Sequence, residues 1–397
     1  MKKIYWRPRA VSRPALVLIS LISIAGLMVV ERFKVPQQQA HYAEKIAAAD
    51  LAQQAFAEIK IAREESGEPI KPAFDPTLSG LVGLPMSPVT SVSGEITAKQ
   101  TSINPNYAAV IVAMLIEADV HEGDFVAVGT SGSFPALNIC TIAACEAMKV
   151  HPVVIASASA SQWGANVPQL MWLDMEDLLI RKGIFKTKSI AASIGGYEDQ
   201  GLGLTDEGRK LVKQAIERNG IAEANFIDIE DFSANVDRRM KYYYDEAKGL
   251  PVKAYVNVGG GAVSVGRNVG KRMFHPGVNM RPPRHVREID GVMPRFILAG
   301  TPVIHLVHIN SLATQYGLPL STSASRAAAE SVAAPTIPSA GQGGVFTGID
   351  YSKPLVLGVL AFILMSLYGF IRSDVGFRLL KASQGGKKRD GQPEPMV

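Results

Sequence analysis

Residues 124–157 read DFVAVGTSGSFPALNICTIAACEAMKVHPVVIAS, and within them the apolar pattern changes period twice. DFVAVG, 124–129, is a short continuous apolar run, the mark of a strand buried on both faces. FPALNICTIAACEAMK, 134–149, is helical, with Pro135 in a first turn where its missing N–H costs nothing. PVVIAS, 152–157, is another buried strand. The same alternation continues outward. NPNYAAVIVAMLIEA precedes it as a helix with Asn104 as cap and Pro105 in the first position. TDEGRKLVKQAIERNG, 205–220, is a helix opened by Thr205 and closed by Gly220. SIAASIG, 189–195, ANFIDI, 224–229, KAYVNVG, 253–259, and PVIHLVHI, 302–309, supply further strands. The pattern predicts an α/β fold, a mostly parallel sheet of five or six strands with helices on both faces.

Ligands of open parallel sheets bind beyond the carboxyl ends of strands. The loop GTSGS, 129–133, lies at such an end and leads into a helix, so its amides and the hydroxyls of Ser131 and Ser133 suit a carboxylate or another anion. The alternative is a tight turn at Gly132 with serines capping the helix. Ser131 is also a candidate nucleophile, because Gly129-Thr130-Ser131-Gly132-Ser133 approaches the G-x-S-x-G elbow. The last glycine is missing, however. Asp228 and Asp231, then His275, His285, His305 and His308, follow in the required order, but such partners arise easily by chance.

A second glycine loop lies in AYVNVGGGAVSVGRNVGKR, 254–272, where Gly260 and Gly261 follow a strand. It matches no dinucleotide fingerprint. Arg267, Lys271, Arg272, Arg281, Arg284 and Arg287 follow without an intervening acidic residue. That run either contacts an anion or is a solvated surface. SASASQWGANVPQLMWLDME, 157–176, offers Ser161, Gln162, Trp163 and Asn166 at a third strand end, for a sugar- or peptide-like ligand or as a polar loop over packed tryptophans. His305 and His308 fall on opposite sides of a strand. With no H-E-x-x-H and no P-loop, the sequence points to no metal and no cofactor.

The chain has 397 residues, of which only 19% are charged. Two runs account for that low figure: PALVLISLISIAGLMVV, 14–30, and PLVLGVLAFILMSLYGFI, 354–371, are free of charge. Each is near the minimum length for a membrane-spanning helix. Residues 1–13 hold five basic and no acidic residues; residues 372–397 hold six basic and three acidic. The tails thus carry +8 of a net charge of +5, which leaves −3 for the remainder. The basic balance belongs to the tails and does not indicate a nucleic-acid partner. By the preference of Lys and Arg for the cytoplasmic side, both termini face inward and the body lies outside. Cys140 and Cys145, the only cysteines, lie five apart in a helix and form no disulfide framework.

The expected organisation is a basic tail to residue 13, a span over 14–30, a stalk or partner-binding helix within 31–67, the α/β domain over 68–320, a flexible linker over 321–353, a span over 354–371 and a basic tail over 372–397. The stretches AKQTSINPNYAAVIVAML, VAVGTSGSFPALNI, SASQWGAN, WLDMED, SIGGYEDQGLGLT and GTPVIHLVHINSLATQYGLP resemble the poly-γ-glutamate system protein family. The resemblance implies a role in making or exporting poly-γ-glutamate. It implies partnership with poly-γ-glutamate ligase and capsule-type membrane subunits, and brings no catalytic residues with it.

Three functions follow as expectations. The first is an accessory subunit in the inner cell membrane, with two spans in the bilayer, binding a polyanionic chain through Ser131, Gly132, Ser133, Gly260, Gly261, Arg267, Lys271 and Arg272. The second is a serine hydrolase or transferase acting on γ-glutamyl bonds through Ser131. The third is a non-catalytic scaffold for the membrane synthesis complex.

Overall fold

The structure, a computed structural model, describes residues 13–321 and 336–372. The basic tails, apart from Arg13 and Arg372, and residues 322–335 of the expected linker therefore lie outside the described residues. The chain divides into two compact units, one comprising Gln39–Phe346 and the other the segments before and after it.

The smaller unit contains α1 (Arg13–Arg32), β1 (Val35–Gln38), and from the other end of the chain β13 (Thr347–Asp350) and α13 (Lys353–Arg372). β1 and β13 pair antiparallel. The two helices lie against each other, closely enough that a Cβ on Gly26 would meet Val359 Cγ1 at 2.6 Å. Both helices occupy the expected apolar runs. Among the described residues, no helix is long and apolar enough to cross a membrane.

The larger unit starts with α2 (Tyr42–Glu65), β2 (Thr90–Val92), α3 (Ile96–Ser102) and α4 (Tyr107–Glu117). β3 (Phe125–Ser131), α5 (Pro135–Ala147) and β4 (His151–Ser157) realise the strand, helix and strand read from 124–157. Short strands β5 (Ala160–Ser161), β6 (Asn166–Val167) and β7 (Leu170–Met171) lead to α6 (Trp172–Arg181). Next come β8 (Ser189–Ser193), α7 (Asp206–Arg218), β9 (Phe226–Ile227) and α8 (Phe232–Glu246). β10 (Val252–Val258), α9 (Ala262–Val265), α10 (Arg267–Met273), β11 (Gly277–Asn279), α11 (Val292–Leu298), β12 (Val303–Leu306) and α12 (Ile309–Gln315) complete it.

Seven strands form one sheet in the order β11-β12-β10-β3-β4-β8-β9. All pairs are parallel except β11 with β12. The strand period of two divides the apolar side chains between two cores. Val126, Val128, Val154 and Val256 pack with α4 and α5 on one face; Ala127, Val153, Ile155 and Tyr255 pack with α8 and α11 on the other. This two-sided burial explains the continuous apolar strands.

The described helices start and stop where local chemistry allows. Thr205 caps α7 by accepting from Gly208 N at 3.0 Å. α4 begins at Tyr107, two residues after Pro105, and Asn104 caps the turn that leads into it, its Oδ1 accepting from Asn106 N at 3.0 Å.

Two expectations change. The helix read as a stalk is part of the body: Ala48, Ala49, Ala52, Ala55, Phe56 and Ile59 of α2 are buried against α4 and α5. Alanines at helical spacing let the helices approach closely, and the buried stripe was too small-sided to announce itself as apolar. The described end of the linker is also no loose tether. Asn106 accepts from Gly341 N at 2.9 Å, Lys45 Nζ donates to Val345 O at 3.1 Å, and Phe346 is fully buried edge-on to Tyr42. Phe346→Ala is expected to destabilise the body by ~3–4 kcal/mol, measured by denaturant unfolding of the purified chain, because it removes a large buried ring and leaves a cavity. A solvated tether would give a change near zero.

Candidate functional site

Sheet order places the site. From β3 the chain adds β4, β8 and β9 in one direction, then returns to set β10 and β12 on the other side of β3. The loop after β3 enters α5 on one face, and the loop after β10 enters α9 on the other. Loops that diverge in this way leave a crevice at the carboxyl ends of the two strands. A cavity of about 710 Å³ lies there, within the size range of small-molecule sites.

Close approach of β3 and β10 shapes its floor. A Cβ at position 129 would collide with the Tyr255 hydroxyl, so Gly129 is required by its neighbour. That hydroxyl meets Ser264 Oγ at 2.6 Å, and Ser264 Oγ donates to Asn257 Oδ1 at 2.5 Å. Asn257 Nδ2 lies 2.9 Å from Nδ1 of His305. Burial first, then His308 and Lys271, pushes His305 down to about 3, so its ring is neutral. With Nδ1 accepting from the amide, the proton sits on Nε2, which is buried without a hydrogen-bond partner among the described residues.

Among the described residues, four basic side chains and two carboxylates line the cavity, and they are treated differently. Arg239 and Asp199 form a buried ion pair at 2.7 Å. Ser193 Oγ bonds to both, and Asn235 bridges them by accepting from Arg239 Nε and donating to Asp199. Every charge in that group is compensated. Arg267 pairs with Glu198 at 2.9 Å and stacks 4.1 Å from the Phe232 ring. Glu95 is exposed and accepts from Thr97. Lys271, exposed at the cavity edge beside Gly260, has no carboxylate within ion-pair distance among the described residues.

Lys99 is the exception. It is only 4% exposed and has no carboxylate partner among the described residues. Its Nζ donates to Ser133 O, lies 2.9 Å from Ser161 Oγ and sits 3.6 Å from the centroid of the Phe134 ring. Burial pushes its pKa down to about 7.

Of the expected ligand-binding residues, Ser131, Ser133, Ser161, Gly260, Gly261, Arg267 and Lys271 do line this one cavity. The other five are placed elsewhere. Gly132 donates to Ser157 O and accepts from Ala165 N, and its lack of a Cβ admits Ser159 O. Gln162 accepts from Gly94 N at 3.2 Å. Trp163 packs 4.5 Å from the ring of Phe74. Asn166 is fully buried and spends its amide on Leu84 and Thr90. Arg272, Arg281, Arg284 and Arg287 are exposed and do not line the cavity, so only Arg267 and Lys271 of the basic run reach it. Gln162 and Asn166 thus satisfy the loop over 83–94, a long-range partner that no local pattern identifies.

Ser131 differs from the expected elbow. β3 continues through Gly129 to Ser131, and Ser131 Oγ approaches Val258 O at 3.5 Å and accepts from Ser133 N at 3.4 Å. None of its hydrogen bonds goes to a histidine, lysine or carboxylate. Sequence reading passed over Lys99, Asp199, Asn257 and Arg239. A signal existed only for Arg239, which stands on α8 in register with the apolar Val236, Met240 and Tyr243.

The lysine has a measurable signature. Below about pH 7 the folded chain must hold a buried ammonium, whereas an unfolded lysine keeps its proton to about 10.5. Stability therefore rises with pH across that window, as the penalty of the buried charge is relieved. Lys99→Met is expected to stabilise the chain by ~2–4 kcal/mol at pH 6 and to lose that advantage towards pH 10. Unfolding midpoints across that range check it; a parent chain with no pH slope between 7 and 10 contradicts the burial argument.

Comparison with models of known protein families, with curated proteins and with solved structures gave no match for this chain.

Proposed function

We propose that the chain is a membrane-anchored accessory component of poly-γ-glutamate synthesis or export, whose body binds a carboxylate-bearing chain in the cavity between β3 and β10. The observation that carries this reading is the meeting of both glycine junctions with the unpaired Lys271 in one crevice. The N-terminus of α5, which no side chain caps, abuts the same space through Ser133 and Phe134. Uncapped amides and the helix dipole favour a negative group there. Basic lining residues outnumber acidic ones, so the cavity attracts anions although the segment between the tails is net acidic. The polymer itself enters through the resemblance of the sequence, as do the ligase and capsule-type subunits as partners.

Anchoring rests on the apolar runs 14–30 and 354–371. The helices over them turn large apolar side chains outward: Leu21, Leu27, Met28, Leu357, Leu364 and Met365 are each more than half exposed. Water is a poor solvent for such a surface, and hydrocarbon is a good one. In this reading the runs 14–30 and 354–371 are spans of the inner membrane, with both termini cytoplasmic and the body extracytoplasmic; it rests on the sequence, since no helix among the described residues is long and apolar enough to cross a membrane. The protein is then expected to stay in the pellet when membranes are washed with alkaline carbonate, and its body to be cut by protease added to spheroplasts. Release into the wash, or protection of the body, contradicts the anchoring.

Calorimetry of the detergent-solubilised full chain with poly-γ-glutamate tests the binding. Affinity is expected to fall as salt rises from about 50 to 500 mM. Lys271→Ala is expected to weaken binding roughly 5-fold, on the order of 1 kcal/mol, and Arg267→Ala less, because Glu198 already holds that charge. Absence of binding at low salt, or an affinity indifferent to salt and to Lys271→Ala, removes the reading.

A further inference from the structure

We infer that Ser161 and Lys99 form a serine–lysine pair for acyl transfer, in which Lys99 takes the hydroxyl proton and Ser161 attacks the carbonyl carbon of an amide or ester that carries a carboxylate. The inference uses the proposed binding cavity but goes beyond binding, and it does not depend on which polymer fills it.

Geometry carries it. Lys99 Nζ lies 2.9 Å from Ser161 Oγ, and both residues line the cavity. A nucleophile within hydrogen-bond reach of a base, with the base held by a further contact, is the arrangement that activates a serine. The further contacts here are the Ser133 carbonyl, which accepts from Lys99 Nζ, and the Phe134 ring against which the amine lies. Ser133 serves the pair a second time: its hydroxyl oxygen accepts from Ser161 N at 3.1 Å. Among the described residues that hydroxyl donates to no protein acceptor, so its proton is available to an oxyanion forming beside Ser161.

Lys99 is a poor choice for a structural role. A buried amine without a carboxylate is costly, and a methionine or leucine would fill the same volume without that cost. Arg239 in the same cavity shows the structural alternative, a cation enclosed by Asp199, Ser193 and Asn235. Burial holds Lys99 at about 7, so a fraction of the free amine exists near neutrality. Lys271 and Arg267 at the same cavity suit an acyl donor with a carboxylate.

The chemistry balances within named groups. The Ser161 proton moves to Lys99 Nζ as the Oγ–carbon bond forms, giving a tetrahedral oxyanion. Collapse breaks the bond to the amine or alcohol, which leaves with the proton from the Lys99 ammonium, and Ser161 remains as an ester. Water, or an acceptor amine in transfer, then attacks that ester with Lys99 as base. The acid or new amide is released and the serine proton is restored.

A fluorophosphonate probe tests the assignment on the detergent-solubilised full chain, with intact mass and peptide mapping as readouts. The expected result is one adduct per chain on Ser161, formed at a rate that rises with pH through a midpoint near 7. Lys99→Met and Lys99→Arg are expected to slow labelling at least 100-fold, although the arginine keeps the positive charge. No adduct on the parent chain, an adduct mapped to Ser131 or Ser133 instead, or labelling of Lys99→Met at the parental rate overturns it. Mapping on the parent needs no variant to fold. Adduct on Ser161 without poly-γ-glutamate binding upholds the pair and removes only the polymer. Polymer binding by a parent chain that takes no label removes the pair and leaves the binding site.

Discussion

The parallel pairing of β10 with β3 is the constraint from which the rest of the cavity follows. It sets Tyr255, Val256 and Asn257 opposite Ala127, Val128 and Gly129. Tyr255 then lies where a side chain at 129 would stand, and glycine is the residue that permits the approach. Because β10 enters the sheet on the side of β3 opposite to β4, the two following loops must leave on opposite faces. The space they vacate is the cavity. Gly129, Ser131, Gly259 and Gly260 face it because they end these two strands, and the serines and glycines after β4 and β8 join them from the adjoining strand ends.

Charge is handled there in two opposed ways. Arg239 and Asp199 are enclosed in a closed network, in which the cost of desolvating two ions is met by their attraction and by bonds from serine and asparagine. Such a group fixes α8 and the loop after β8 against the sheet, and leaves nothing for chemistry. Lys99 has been taken out of water without a counter-ion. Its amine therefore gives up its proton easily, which is unfavourable for stability at acidic pH and useful beside a hydroxyl. The buried His305 is of neither kind: its neutral ring extends the polar chain from Tyr255 and sits beneath the cavity rather than in it.

The body is wider than its sheet and covering helices require. α2 adds an outer helix on α4 and α5 through an alanine stripe, where small side chains allow backbones to approach. The segment ending at Phe346 then docks on α2 and on the turn before α4. Residues close to both ends of the larger unit thus contribute to one core, and that core includes segments whose composition alone reads as helical spacer and linker.

The amino-acid sequence by itself determined the class of fold. Apolar runs such as VAVG and VVIAS alternate with helical patterns, and a strand buried on both faces has no choice but to be apolar throughout. It also determined that Ser131, Ser133, Gly260 and Gly261 stand at strand ends, because glycine and serine punctuate apolar runs in a way that is visible locally. Only the tertiary structure decided which strand ends are neighbours. That depends on strand order, a long-range property that no window of sequence contains. It also decided that Asn166 and Gln162 serve a distant loop, that Trp163 packs on Phe74, that the basic run from Arg272 onward stays at the surface away from the cavity, and that Lys99 is buried next to Ser161, which lies 62 positions away in the chain. A lysine in sequence is ordinarily a solvated charge. It becomes a base when folding removes its water and supplies no anion in return.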